Sequence, residues 1–148
     1  MKRFGIVLFS MCLFMTGFIS CVPDEENSAS DIRSQLTGTW QCEEHSESYE
    51  PNPYNVEISA DATSSSGIFI TNFFSLGSSV IASAAVIGSD VTIPVQILPG
   101  GFKISGSGFV SEGNSRIDLQ YTVQETPAVI NAKTGSTESV TAVYTKNN

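Results

Sequence analysis

Positive charge is scarce in this 148-residue chain, where 7 Lys and Arg stand against 15 Asp and Glu for a net charge of −8. Lys2 and Arg3 sit at the very start, and no acidic residue precedes Asp24. Beyond residue 20, the remaining 128 residues carry a net charge of −10. A surface of that sign repels nucleic acid and anionic headgroups, so nucleic acid is not an expected partner. Histidine occurs once, at His45, and both a Gly-x-Ser-x-Gly elbow and a glycine-rich phosphate loop are missing. No nucleophile–base pair and no nucleotide cradle can be assembled from such a set. Carboxylates alone can hydrolyse glycosides, but Asp61, Asp90, Glu112 and Asp118 fall at strand ends or on polar faces and read as solubility charges. The expectation is a protein that is not an enzyme and has no cofactor. No internal repeat or second domain is visible. A body of this size buries roughly two-thirds of its unfolded surface, enough for one core without disulfides.

The one long apolar run is at the N-terminus. Met1-Lys2-Arg3, the uncharged stretch 4–19 and the small Ser20 before Cys21 have the three regions of a secretory signal. The uncharged segment 4–23 is 20 residues long, which also suffices for a membrane-spanning helix. The cysteine separates the two readings. Phe18-Ile19-Ser20-Cys21 resembles the lipobox of bacterial lipoproteins, with Phe18 where Leu is usual. That resemblance implies cleavage before Cys21, a diacylglycerol on its sulfur and an acylated new N-terminus. Each buried CH₂ contributes about 0.8 kcal/mol, so several chains anchor durably to a membrane. Val22 is not the Asp that retains such proteins in the inner membrane, and Asp24-Glu25-Glu26 looks like the acidic export signal of Bacteroides-type surface lipoproteins. The expected location is therefore the outer membrane, facing the cell surface. The plain alternative for the three carboxylates is a solvated tether, continued by the polar 27–30. The organisation read here is a signal peptide over 1–20, an acidic tether over 21–30 and one domain over 31–148.

From Thr37 onward the hydrophobic pattern has period 2 and is punctuated by Gly, Asn, Asp and Pro, as in an antiparallel all-β domain. Eight runs are expected, over 38–45, 54–60, 67–74, 79–87, 90–98, 101–111, 115–124 and 138–146. Tyr54, Val56 and Ile58 share one face; so do Val80, Ala82, Ala84 and Val86, then Val91, Ile93, Val95 and Ile97, and Ile117, Leu119, Tyr121 and Val123. Short connections at 88–90, 99–101 and 113–114 pair these strands with their sequence neighbours. Before them, 30–36 forms a helical turn capped by Ser30 or Asp31, with Ile32 and Leu36 as its buried pair. Eight hairpin-linked strands leave two exposed edges as a flat sheet, and closure into an up-and-down barrel removes them. A β-sandwich is the alternative.

Leu36-Thr37-Gly38-Thr39-Trp40 carries the Gly-x-Trp element that opens the first strand of lipocalins and their calycin relatives, and the chain as a whole resembles uncharacterised lipocalin-like lipoproteins of the Bacteroides type. The resemblance implies a barrel in which a basic side chain from the last strand lies across the Trp. Lys146 is placed for that role, though many relatives use Arg. Such a pair closes a barrel end and does no chemistry.

The segment 41–50 gathers Cys42, His45 and the carboxylates Glu43, Glu44, Glu47 and Glu50. In a strand Cys42 and His45 face opposite sides, so no metal site is expected there. The reading is a solvated acidic strand end, with Cys42 a small buried hydrophobe beside Trp40. Two features bear on binding. Ala82, Ala84, Gly106 and Gly108 build the inner face from small groups, leaving either a cavity for a small apolar ligand or room for Trp40, Phe74, Phe102 and Tyr121. Phe69, Phe73, Ile81, Ala85 and Ile87 form an apolar outer face, which reads as a protein-partner surface or as a face covered by the loop 126–136 with Val129 and Ile130. A filled barrel acting as an envelope-structural or interaction module is the alternative to ligand binding.

Overall fold

The computed structural model describes residues 31–48, 50–126 and 135–147. The expected signal peptide, Cys21, the Asp24-Glu25-Glu26 stretch, and Val129 and Ile130 lie outside the described residues.

The chain begins with a short helix, α1 (Ile32–Leu36), and continues as eight strands: β1 (Gly38–Ser46), β2 (Tyr54–Ala60), β3 (Gly67–Thr71), β4 (Ile81–Ile87), β5 (Asp90–Leu98), β6 (Phe102–Val110), β7 (Arg116–Glu125) and β8 (Thr137–Lys146). Two 3₁₀ turns interrupt them, Phe73–Ser75 and Glu112–Asn114. Each strand pairs antiparallel with its sequence neighbour, and β1 pairs with β8, so the sheet closes into an up-and-down barrel and the sandwich is excluded. Closure leaves no exposed sheet edge. Alternate residues point inward, as period 2 requires. Trp40, Cys42, Glu44 and Ser46 are buried along β1, whereas Gln41, Glu43 and His45 face solvent.

The strand directions define two ends. At the lower end lie α1, the 61–66 loop, the 88–89 turn, the 111–115 connection and the end of β8; at the upper end lie the last residues of β1, β3, β5 and β7 and the first residues of β2, β4, β6 and β8, with the loops 72–80 and 99–101. The lower end is closed by α1. Asp31 caps the helix by accepting from the Arg33 amide at 3.1 Å. The Arg33 guanidinium donates to the carbonyls of Asp61 (3.1 Å), Ser64 and Gly67 (3.3 Å), tying the helix to the β2–β3 loop. Leu36 is fully buried and Ile32 packs against the core, the pair expected from their spacing.

Two stretches depart from the sequence reading. The third run was expected to extend through residue 74, with Phe73 on the outer wall. Strand β3 instead ends at Thr71; Asn72 takes a left-handed backbone (φ 64°, ψ 31°), and the chain folds over the upper end. Phe73 is therefore a core residue, 0% exposed, and does not belong to an outer apolar surface. In β5 the register against β6 slips between Ile93 and Gln96. Pro94 cannot donate to a ladder, and the resulting bulge turns Val95 and Ile97 outward, 68% and 67% exposed, away from the face they were expected to share with Val91 and Ile93. The Gln96 side chain repairs the seam. Its Oε1 accepts from the Ser83 amide at 2.9 Å and its Nε2 donates to the Ser83 carbonyl at 2.7 Å, replacing a ladder pair between β4 and β5.

Candidate functional site

Trp40 lies at the lower end, fully buried, its indole N–H donating to the Leu36 carbonyl at 2.8 Å. Lys146 is its register partner on β8, with Nζ 5.7 Å from the ring centroid and donating to the Gln35 carbonyl. Helix, indole and terminal lysine thus form one joined closure.

The small residues of the inner wall enclose no empty chamber around them. Ala82 is 0% and Tyr121 1% exposed, so no water-sized space borders either one. A Cβ at Gly106 would sit 2.4 Å from the Tyr121 Cβ, and one at Gly108 would sit 2.0 Å from the Asp118 carbonyl oxygen. Both glycines therefore serve the close approach of β6 to β7, a kink that helps the sheet curl shut. Phe74 and Phe102 are half-buried at the upper end, their rings 6.3 Å apart.

The residues that carry chemistry are a buried polar group in the upper half of the barrel. Glu44 is 4% exposed. Its Oε1 accepts from the Tyr54 hydroxyl at 2.5 Å and from the Tyr121 hydroxyl. Its Oε2 is buried without a hydrogen-bond partner, and so is the hydroxyl of Tyr144, which lies beside the Cys42 thiol. Burial pushes the Glu44 carboxyl above the ordinary carboxylate range, and the hydroxyls of Tyr121 and Tyr54 pull back against it. Burial likewise raises the Cys42 thiol, with the nearby carboxyl adding to the effect, so Cys42 is no nucleophile near neutral pH. Tyr54, Tyr121 and Tyr144 are raised for the same first reason and stay protonated. Reading Glu44 as part of a solvated acidic strand end was wrong. The signal was present in the parity of β1, since Trp40, Cys42 and Glu44 must share a face.

This group is roofed by the 3₁₀ turn Phe73–Ser75. Phe73 stacks on Tyr121 at 4.8 Å with a 51° tilt, and Phe74 meets the same ring edge-on at 6.4 Å. The roof is conformationally strained: Phe74 (φ 55°) and Ser75 (φ 54°) both hold left-handed backbone, which costs a non-glycine residue about 1–2 kcal/mol. Asn72 anchors it, donating from its side chain to the Asn55 carbonyl at 2.7 Å and accepting from the Gly77 amide at 2.8 Å.

Other concavities lie outside. One, about 490 Å³, is an open groove on the wall where β6, β7 and β8 meet, lined by Ser107, Phe109, Asp118, Gln120 and Thr141 among others. It encloses little and contains no unsatisfied group, so the Glu44 cluster is the stronger candidate site. Among the described residues, His, Cys, Asp and Glu form no group able to hold a metal ion.

No protein-family model matches the sequence, and no curated protein does. Among solved structures, EF1p2_mFAP2b bound to DFHBI superposes with a TM-score of 0.53 at 15% identity, over 80% of this chain and all of that one. A redesigned β-barrel gives 0.49 at 13% identity, over 80% and 96% of the two chains. The first likeness establishes a shared small-barrel fold.

Proposed function

We propose that this protein is a lipid-anchored, outer-membrane barrel that binds a small ligand in its upper half, beneath the Phe73–Phe74 roof. One observation carries the reading: a nearly fully buried carboxylate and a fully buried tyrosine hydroxyl are each left with an unpartnered oxygen behind a strained cover. Buried polar atoms without partners cost about 1–3 kcal/mol each and are rare unless they have work to do. The similar barrel EF1p2_mFAP2b is bound to a small molecule, DFHBI, which supports the reading by fold alone. The anchor rests on Phe18-Ile19-Ser20-Cys21, and the surface location on Asp24-Glu25-Glu26. Native mass spectrometry of the protein extracted from its own membrane tests both parts. The expected result is an acylated N-terminal Cys21 and a non-covalent small-molecule adduct; a bare protein mass would contradict the binding reading.

A second reading is a filled barrel that works through its outer wall. It is favoured by the apolar residues left on β4, β5 and β6: Ile81, Ile87, Val95, Ile97 and Phe109 are 49–73% exposed, with half-buried Phe69 on β3 nearby. Exposed large apolar residues on neighbouring strands mark candidate interaction sites. Crosslinking on intact cells through residue 95 or 97 that yields one defined protein adduct, with no small molecule in the native spectrum, would favour this reading.

A further inference from the structure

We infer that the ligand is a small organic ammonium compound, an amine carried on an apolar or aromatic body, whose positive head is received by Glu44. The inference rests on the binding reading above and specifies its chemistry. Glu44 Oε2 is buried without a geometric hydrogen-bond partner, while Oε1 is already held by Tyr54 and Tyr121; the Cys42 thiol beside the carboxyl is only a weak donor. A free carboxylate oxygen asks for a donor, and a cation answers it better than a neutral group, because the charge-assisted bond is roughly twice as strong. No described lysine or arginine ion-pairs with Glu44. Of the described cations, Arg33, Arg116 and Lys146 are at the lower end, in other contacts, and Lys103, near the upper end of β6, is exposed on the outer wall.

The surroundings match the rest of such a ligand. Tyr54, Tyr121 and Tyr144 gather at the carboxyl, with Phe73 and Phe74 against Tyr121. Aromatic faces attract an ammonium group and its carbon substituents together. The unpartnered Tyr144 hydroxyl lies within the same buried group. The excess of carboxylates over the body as a whole steers cations toward it and repels anions. Because Phe73 now fills the space over Tyr121, binding requires the roof to swing outward, and Phe73 yields its place to the ligand body.

The test uses 2-phenylethylammonium and its neutral counterpart 2-phenylethanol, titrated by calorimetry into the parent protein and the Glu44→Gln variant. Glutamine keeps an acceptor for the two tyrosine hydroxyls and removes the charge; circular dichroism checks that it folds. The expected result is that the parent prefers the ammonium over the alcohol by about tenfold or more, and that Glu44→Gln abolishes the preference. A second variant, Phe73→Ala, is expected to bind the ammonium more tightly, since the closed roof no longer competes. Equal binding of amine and alcohol by the parent, or an undiminished preference in Glu44→Gln, would overturn the inference while leaving a ligand-binding barrel standing. Binding of neither probe overturns it as well, and would mean that the Glu44–Tyr144 group serves the fold and takes no ligand. The broader reading would then stand or fall on the adduct seen by native mass spectrometry.

Discussion

At the scale of single residues, two buried side chains of β1 do opposite work. Trp40 joins α1, β1 and β8, so Trp40→Ala is expected to cost about 3–5 kcal/mol in urea unfolding, as large-to-small changes of a buried aromatic do. Lys146→Ala removes only a cation over the ring and a stem along it, and is expected to cost about 0.5–2 kcal/mol. The reverse ordering would mean that the lower end is held by charge. Glu44 weakens the fold when ionised. Its folded carboxyl is raised above the ordinary value of 4.5, so the native state binds its proton more tightly than the unfolded chain. Stability from this group is therefore fullest below 4.5 and is lost as pH rises through the raised value. Glu44→Gln lacks that slope. Relative to the parent, the variant is expected to gain stability from about pH 4.5 upward until Glu44 is ionised, measured by urea midpoints across pH. A difference flat with pH would show that Glu44 titrates normally. The Trp40 role was legible in Gly38-x-Trp40. Arg33 was not, because its three carbonyl partners come from a loop whose path depends on the whole barrel.

At the scale of elements, strand positions were legible because alternation is enforced by one buried face. The bounds of β2 and β5 are those expected from the sequence, and the other strands differ by a few residues at their ends. What alternation cannot show is where a strand changes face or stops. Pro94 cannot donate to the ladder, but its type does not show the slip that sends Val95 and Ile97 outward, since only the register against β6 records it. Likewise Phe73 continues the pattern of β3, and only the left-handed Asn72 redirects it into the core. The glycines of β6 were legible as small inward residues, but not as contact points, because that depends on how near β7 comes. A Cβ added at Gly106 would lie 2.6 Å from the Tyr121 Cα. Gly106→Ala is accordingly expected to destabilise the barrel by about 1–3 kcal/mol through forced displacement of β7, with the Tyr121–Glu44 hydrogen bond disturbed as a consequence. An alanine variant as stable as the parent would show that the two strands have room to part.

At the scale of the whole molecule, the proposed anchor and the barrel are independently testable. Cys21→Ala is expected to leave an unlipidated, uncleaved or soluble form, read by intact mass and membrane extraction; unchanged extraction with no loss of acyl mass would contradict the anchor. Replacing Asp24, Glu25 and Glu26 by Ala is expected to keep the lipid but remove the protein from the reach of added protease on intact cells. The barrel itself is asymmetric, with a lower end locked by α1, Trp40 and Lys146 and an upper end roofed by a strained turn over an unsatisfied carboxylate. The central claim is that the upper end opens while the lower end does not. Native-state hydrogen exchange measures this directly. The amides of Asn72 and Leu76, bonded to the carbonyls of Val80 and Phe73, are expected to exchange by local opening well below the global unfolding energy. The Trp40 indole N–H and the Lys146 amide, bonded to the carbonyls of Leu36 and Ser115, are expected to exchange only when the whole barrel unfolds. Equal, global protection at both ends would contradict the account and describe a barrel sealed throughout.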